Sequence, residues 1–559
     1  MRPVFAIAFA LLAAASLALP GRAAEPDIPQ TLIGREEAIR LLVQNQLSAK
    51  FTDASEAKKS EQGALVEYYA VPDQHLLWVD ENGLTERGKA VIAEIKKADE
   101  YGLRASDYVL PDPSSFNNLD EAGATEWLAG AETKISTAVL RYARDARGGR
   151  IVPQRLTPNL DPTLALPNPT EVLESIAIRS DPAAYLRSFQ PDQPQFEALR
   201  QKLIALRGGS SAEPEPTVVI PDGPALKLGV EHEQVALLRQ RLAVPAEGTS
   251  SETVFDEQLF EAVRQFQKNH GVFADGIVGP GTRRLLNAPR QRGAAGNPAQ
   301  IRRILVNMER WRWLPHDLGG FYVIVNIPEF MLRVVKNDET IHSARVVVGK
   351  PNTPTPVFSN EMQTVVFGPY WNVPNSIKVG EIRPYLRQEA SWFFGGGGWN
   401  TSVLQRHGVR VRYGGREIDP STVDWNRVDI RNFELYQPPG PQNVLGRVKF
   451  MFPNKHDVYM HDTPQKHLFA YPVRAESHGC MRVQNPDQLA ALILGHDQGW
   501  SRARTLSAFE TGYDQQIPLQ RKIPVYISYF TLKVNADGSL STYGDLYGHD
   551  ARMAAALRL

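Results

Sequence analysis

Cysteine is almost absent from this chain: Cys480 is the single one among 559 residues. No disulfide can form within the chain, and a lone thiol in an oxidising compartment is a liability unless it has a use. An excess of charge of one sign is missing as well. Lys plus Arg total 62 and Asp plus Glu total 62, which leaves no basic field of the kind that draws nucleic acid and argues against such a partner. Long apolar runs are confined to Val4–Leu19; no later segment is apolar enough to cross a bilayer, and no cysteine follows that run to accept lipid. Composition is otherwise that of ordinary globular protein, and the length allows three or four domains, each with its own core.

The apolar start follows Arg2, is broken by Pro20 and ends in Gly21-Arg22-Ala23, the small residues a signal peptidase reads. Residues 1–23 read as an export signal cleaved near Ala23, with an uncleaved anchor as the alternative. The mature chain is then expected outside the cytoplasm with no membrane span.

Residues 30–206 carry apolar side chains at helical spacing, at Val91, Ile92 and Ile95 and again at Ile135, Val139, Leu140, Tyr142 and Ala143, and read as a helical packing domain with no catalytic constellation. Gly208 to Pro216 mixes flexible and stiff linker residues and marks a boundary. Residues 228–287 show two helix faces (Val235, Leu238, Leu242; Phe260, Val263, Phe266), a turn at Asp275-Gly276, and Thr282 as a candidate cap for a last helix. Gln291 to Pro298 is a second joint.

The part from 301 to 505 begins with an amphipathic helix expected to include Ile304, Leu305, Met308, Trp311, Trp313 and Leu314. Short β-branched and aromatic runs follow at 321–327, 331–335, 344–348, 365–367 and 448–452, with Asn337-Asp338 as a hairpin turn, and predict a small β-sandwich or barrel. From 375 to 445 the strand pattern lapses. That stretch holds Trp392-Phe393-Phe394, the run Gly395–Gly398 and Trp399, and reads as a flexible element beside an aromatic rim, with a plain surface loop as the alternative. Residues 506–559 remain as a C-terminal extension.

Chemistry concentrates around the lone thiol. Cys480 lies in Glu476-Ser477-His478-Gly479-Cys480-Met481-Arg482-Val483, and His461 in Tyr459-Met460-His461-Asp462-Thr463-Pro464. A thiol with an ordinary pKa of about 8.5 needs a base, and an imidazole is the side chain best placed to serve near neutrality. Tyr459 falls on the same side of its strand as His461 by the period of two. Arg482 stays protonated and cannot be a base, and Ser477 is too weak a nucleophile to compete and suits a local hydrogen bond.

A His followed about twenty residues later by Ser-His-Gly-Cys-(apolar)-Arg resembles the signature of the L,D-transpeptidases, cysteine enzymes that cross-link bacterial peptidoglycan. Leu76-Leu77-Trp78 and Arg141–Gly149 resemble the scaffold of the large Gram-negative members. Phe266-Gln267 with Gly271 and Asp275-Gly276 with Gly279 and Thr282 resemble the three-helix peptidoglycan-binding module. The fold class implied is α+β multidomain: helical scaffold, peptidoglycan-binding module, and a β-rich catalytic domain with a cap insertion.

The resemblance implies a periplasmic acyltransferase without a cofactor or metal. Its substrate would be peptidoglycan stem peptides and glycan. Cys480 would be the nucleophile and His461 the general base and acid, the two meeting as thiolate and imidazolium. Backbone N–H groups at Gly479 and Cys480 would form the oxyanion hole, and the Asp462 carbonyl would orient the histidine. D-alanine would leave from a thioester, and a second stem would complete a bond between two third-position residues. His478 would hold structure or substrate; Arg482 would hold the motif's loop, or a stem carboxylate; Tyr459 would face the cleft, and Trp371 would line it or join the core. Trimming of stems by an L,D-carboxypeptidase and anchoring of wall proteins use the same first half-reaction. A zinc site from His461, His478 and Cys480, or a non-catalytic wall-binding protein, fits less of the pattern.

Overall fold

A computed structural model describes residues 34–48, 56–72, 74–208, 218–242, 244–246, 251–269, 274–287, 297–388 and 399–559. The proposed signal, most of the two joints, Gly271, and the cap's Trp392 to Gly398 lie outside the described residues. No helix among those described is long and apolar enough to cross a membrane.

The amino-terminal part is helical because its apolar residues repeat at helical spacing and its helix starts are capped. Thr85 accepts from Gly88 N to open Glu86–Lys96, and Asp120 accepts from Gly123 N to open the 28-residue helix Glu121–Gly148. The long helix buries one carboxylate, Glu132. It accepts the N–H groups of Leu77, Trp78 and Val79 and the Tyr69 hydroxyl. Burial outweighs these bonds and raises its pKa to about 7. The Leu76-Leu77-Trp78 segment is thereby stitched to the helix.

The module around 228–287 packs Glu233–Leu242, Glu257–Asn269 and Pro280–Asn287 on a core of Val235, Leu238, Leu259, Val263 and Leu286. Thr282 does not cap the last helix but sits inside it, where its hydroxyl donates to the Ile277 carbonyl and accepts from Gln267. Gly276 has φ +74°, and a Cβ there would strike the Phe260 ring. Both residues of the motif therefore make the turn.

The carboxy-terminal part is built on one sheet. Its strands are β1 (Phe321–Asn326), β2 (Met331–Lys336), β3 (Glu339–Gly349), β4 (Phe358–Phe367), β5 (Val448–Met451), β6 (Met460–His461), β7 (Ala475–Ser477), β8 (Met481–Val483) and β9 (Gln515–Ser528). The order is β7-β3-β8-β6-β5-β4-β9-β1-β2, and β2 also pairs with β3, so the sheet closes on itself. Asn337 and Asp338, both at positive φ, make the two-residue turn between β2 and β3.

Three sequence expectations change here. The lead-in helix runs Pro298–Trp311, so Trp313 and Leu314 lie past its end. β9 pairs with β4 and β1 in the middle of the sheet, so the fold does not stop at 505. The 375–445 insertion is not strandless. Arg410–Tyr413, Arg416–Ile418 and Glu434–Gln437 form a four-stranded sheet with Trp371–Asn372, over a core that includes Trp425, Leu404 and Leu435. These strands are only two to four residues long, too short for a period of two to stand out from the sequence.

The helical part and the sheet are joined by buried polar contacts. After Gly149, at φ +85°, Arg150 N and Ile151 N donate to the Glu309 carboxylate at 2.5 and 3.0 Å. A Cβ on Gly149 would meet that carboxylate at 2.6 Å. Glu309 also faces the fully buried Arg312. Farther on, Asp161 accepts from Lys455 and His456 at 2.8 and 2.9 Å, Asp161 N donates to the Val357 carbonyl, and Val357 N donates to the Asn159 carbonyl.

Glu309→Ala would leave the Arg150 and Ile151 N–H groups without an acceptor and the buried Arg312 guanidinium, still bonded to Met308, Tyr101 and Gln190, without its facing carboxylate. Loss of about 3–5 kcal/mol of stability is expected, read as a large fall in the urea midpoint. An unchanged midpoint would show that this junction does not hold the two parts together.

Candidate active site

β5, β6 and β8 lie side by side, and their register puts Lys449, His461 and Arg482 in one row across the sheet. Period-two alternation in β5 sends Val448 and Phe450 to the core and leaves Lys449 on the cleft side. Cys480 sits just ahead of β8. The bend before it requires Gly479, at φ +104°, a conformation that L side chains rarely adopt. Buried Thr355 donates its hydroxyl to the Gly479 carbonyl at 2.7 Å, and Ser477 donates to the Cys480 carbonyl at 2.5 Å. Carbonyl and N–H point opposite ways across a peptide plane, so the Thr355 bond turns the Cys480 N–H away from the interior. Among the described residues neither the Gly479 nor the Cys480 N–H is engaged in a hydrogen bond.

His461 is buried, and its Nδ1 meets the Asp462 carbonyl. A carbonyl can only accept, so Nδ1 carries the proton and Nε2 keeps a lone pair. The Asp462 carboxylate is turned elsewhere, to Lys466 and to Arg447 N. Burial, then Arg482 and Lys449, push the His461 pKa down to about 3 against the pull of the Asp462 carbonyl. The half-buried Cys480 moves the other way. Burial lifts its thiol to about 11, although the Tyr459 N–H and hydroxyl, Lys449 and Arg482 all favour the thiolate. Both shifts favour the neutral forms, a thiol and a neutral imidazole.

Other sequence candidates fall around this pair. The Tyr459 ring stands edge-on to His461 at 5.7 Å. Cys480 Sγ is 3.9 Å from the Asp457 carbonyl. His478 is not turned to the sulfur; its Nε2 pairs with Glu381 of the insertion at 2.5 Å. Arg482 donates to Gln465 at 2.6 Å. The cavity over the sulfur has a volume of about 1360 Å³ and is lined by Trp371, Glu381, Lys449, His461, Cys480 and Arg482 among others. Sequence reasoning missed Lys449, Glu381 and Thr355. Lys449 alone had a signal, as the polar residue alternating with Val448 and Phe450. Among the described residues no group of three His, Cys, Asp or Glu side chains is arranged to hold a metal ion.

A family model for the L,D-transpeptidase catalytic domain matches residues 320–515. The chain carries an L,D-transpeptidase catalytic domain. A scaffold domain matches residues 63–203 and a peptidoglycan-binding domain residues 231–286. A Haemophilus influenzae protein named "Putative L,D-transpeptidase" is 29% identical over 255 residues, 45% of this chain; the match spans about half, 49%, of that relative's length. Solved L,D-transpeptidase structures from Xylanimonas cellulosilytica (15% identity, 56% of this chain and 100% of that one, TM-score 0.15) and Mycobacterium smegmatis (10%, 37% and 58%, 0.17) also overlap with it. Overlaps of that quality add nothing to the fold described above.

The thiol of the free L,D-transpeptidase domain should behave as a weak acid. Alkylation of Cys480 by iodoacetamide is expected to accelerate steadily through about pH 9, because the thiolate fraction is still growing there. A plateau reached below about pH 7 would mean a preformed thiolate.

Proposed function

We propose that the protein is a peptidoglycan L,D-transpeptidase that forms 3–3 cross-links through a cysteine thioester. The observation that carries this reading is that Cys480 and His461 line one cavity, the imidazole pinned at Nδ1, beside two unengaged N–H groups in an L,D-transpeptidase domain. The proton leaves Cys480 for His461 Nε2 as sulfur attacks the carbonyl that joins the L-centre of the diamino acid to D-alanine. Because neither group is charged beforehand, proton transfer and carbon–sulfur bond formation run together.

The N–H groups of Gly479 and Cys480 receive the developing oxyanion. His461 returns its proton to the departing D-alanine amine. The side-chain amine of a second stem then attacks the thioester, and the thiol is restored. Tyr459 and Trp371 line the donor's path, while His478 acts through the cap via Glu381. The peptidoglycan-binding module supports the same substrate class, and an exported chain working in the periplasm is where that substrate lies.

Incubation with disaccharide-tetrapeptide should yield free D-alanine and a tetrapeptide–tripeptide dimer by mass analysis. Cys480→Ala should abolish both, and His461→Ala should lower acylation at least about a hundredfold. Tripeptide alone, with no dimer at any acceptor concentration, would replace this reading with an L,D-carboxypeptidase. Acylation that persisted in Cys480→Ala would remove the nucleophile.

A further inference from the structure

A charge set into a cleft without a counter-charge marks a place where a ligand brings one. Lys449 is such a charge. Its backbone is paired directly with that of His461, and its Nζ lies 4.2 Å from the centre of the Tyr459 ring. Nearby lysines have carboxylates: Lys466 pairs with Asp462 and Lys455 with Asp161. Among the described residues none stands within ion-pair distance of Lys449. On the far side of His461, Arg482 bonds the neutral Gln465, and its buried Nε has no acceptor among the described residues. Asp514 acts on Lys449 and Glu476 on Arg482 only from beyond ion-pair distance, so the imidazole stands between two cations that no anion contacts directly among the described residues.

In the reaction proposed above, on which this inference rests, His461 must deliver a proton to the amine of the departing D-alanine. The carboxylate of that residue is attached to the carbon next to the amine, so it comes to rest beside whatever flanks His461 in the cleft. Arg482 is tethered to Gln465, whereas Lys449 has a flexible stem and a free head. We propose that Lys449 is a substrate-binding residue that takes the C-terminal carboxylate of the donor tetrapeptide, and so selects stems that end in a free acid. Tyr459 carries the ammonium on its ring face until the carboxylate arrives.

The test uses the full chain with two donors, a disaccharide-tetrapeptide ending in D-alanine and the same stem ending in D-alaninamide, and reads kcat/KM for release of the terminal residue. The unmodified chain should prefer the acid by about tenfold or more, the usual effect of one hydrogen bond to a charged group. Lys449→Met should bring the ratio close to one, and Lys449→Arg should keep most of it. The ratio is internal to each protein sample, so partial misfolding does not alter it. A preference retained in Lys449→Met, or no preference in the unmodified chain, would overturn the assignment while leaving the transpeptidase reading in place. Turnover of neither stem by the unmodified chain would instead remove that reading and this subsite with it.

Discussion

The hydrogen bond between His461 Nδ1 and the Asp462 carbonyl is the constraint on which the site depends. It uses the backbone carbonyl of the next residue, and it fixes which imidazole nitrogen is free. Asp462 itself is held from outside: its N–H donates to Val448 in β5, and its carboxylate is occupied by Lys466 and Arg447 N. The row of Lys449, His461 and Arg482 then does electrostatic work in two senses. Two flanking cations disfavour imidazolium, and the same cations favour negative charge arriving at the sulfur or with a substrate.

Parts distant in sequence converge on this row. The scaffold's Asp161 ties down Lys455 and His456, the residues next to Asp457, whose carbonyl faces the sulfur. From the chain's far end, the Tyr547 hydroxyl donates to the Gly349 carbonyl and accepts from Thr355 N, and Thr355 holds the Gly479 carbonyl. The cap contributes Glu381 to His478. Scaffold, carboxy-terminal segment and cap thus each brace one side of the Cys480 turn, which accounts for a small catalytic sheet being embedded in a chain several times its size.

Much of this was legible in the sequence, because the decisive signals are local. The Ser-His-Gly-Cys run, the His461 segment and the Asn337-Asp338 turn each encode their geometry within a few residues. Tyr459 and Trp371 were placed by strand period and by position at a strand end. What escaped depends on pairing between distant segments. Lys449 acquires meaning only once β5 is registered against β6, and Glu381 only once the insertion folds back over His478. The insertion's sheet was hidden because its strands are only two to four residues long, and β9 because Pro518 and Pro524 argue against a central strand in Gln515–Ser528. The shifted acidities of the pair were not legible for another reason: sequence supplies unperturbed pKa values, and burial moves the two groups in opposite directions.

The central claim, a neutral imidazole protonated at Nδ1 beside a neutral thiol, is open to direct observation by nitrogen NMR of the full chain with 15N-labelled histidine, His461 being assigned by the signals lost in His461→Asn. The account predicts the Nδ1–H tautomer, unchanged from about pH 8 down to about pH 5, a range in which an ordinary histidine titrates. An Nε2–H tautomer, or an imidazolium already formed at neutral pH, would contradict it.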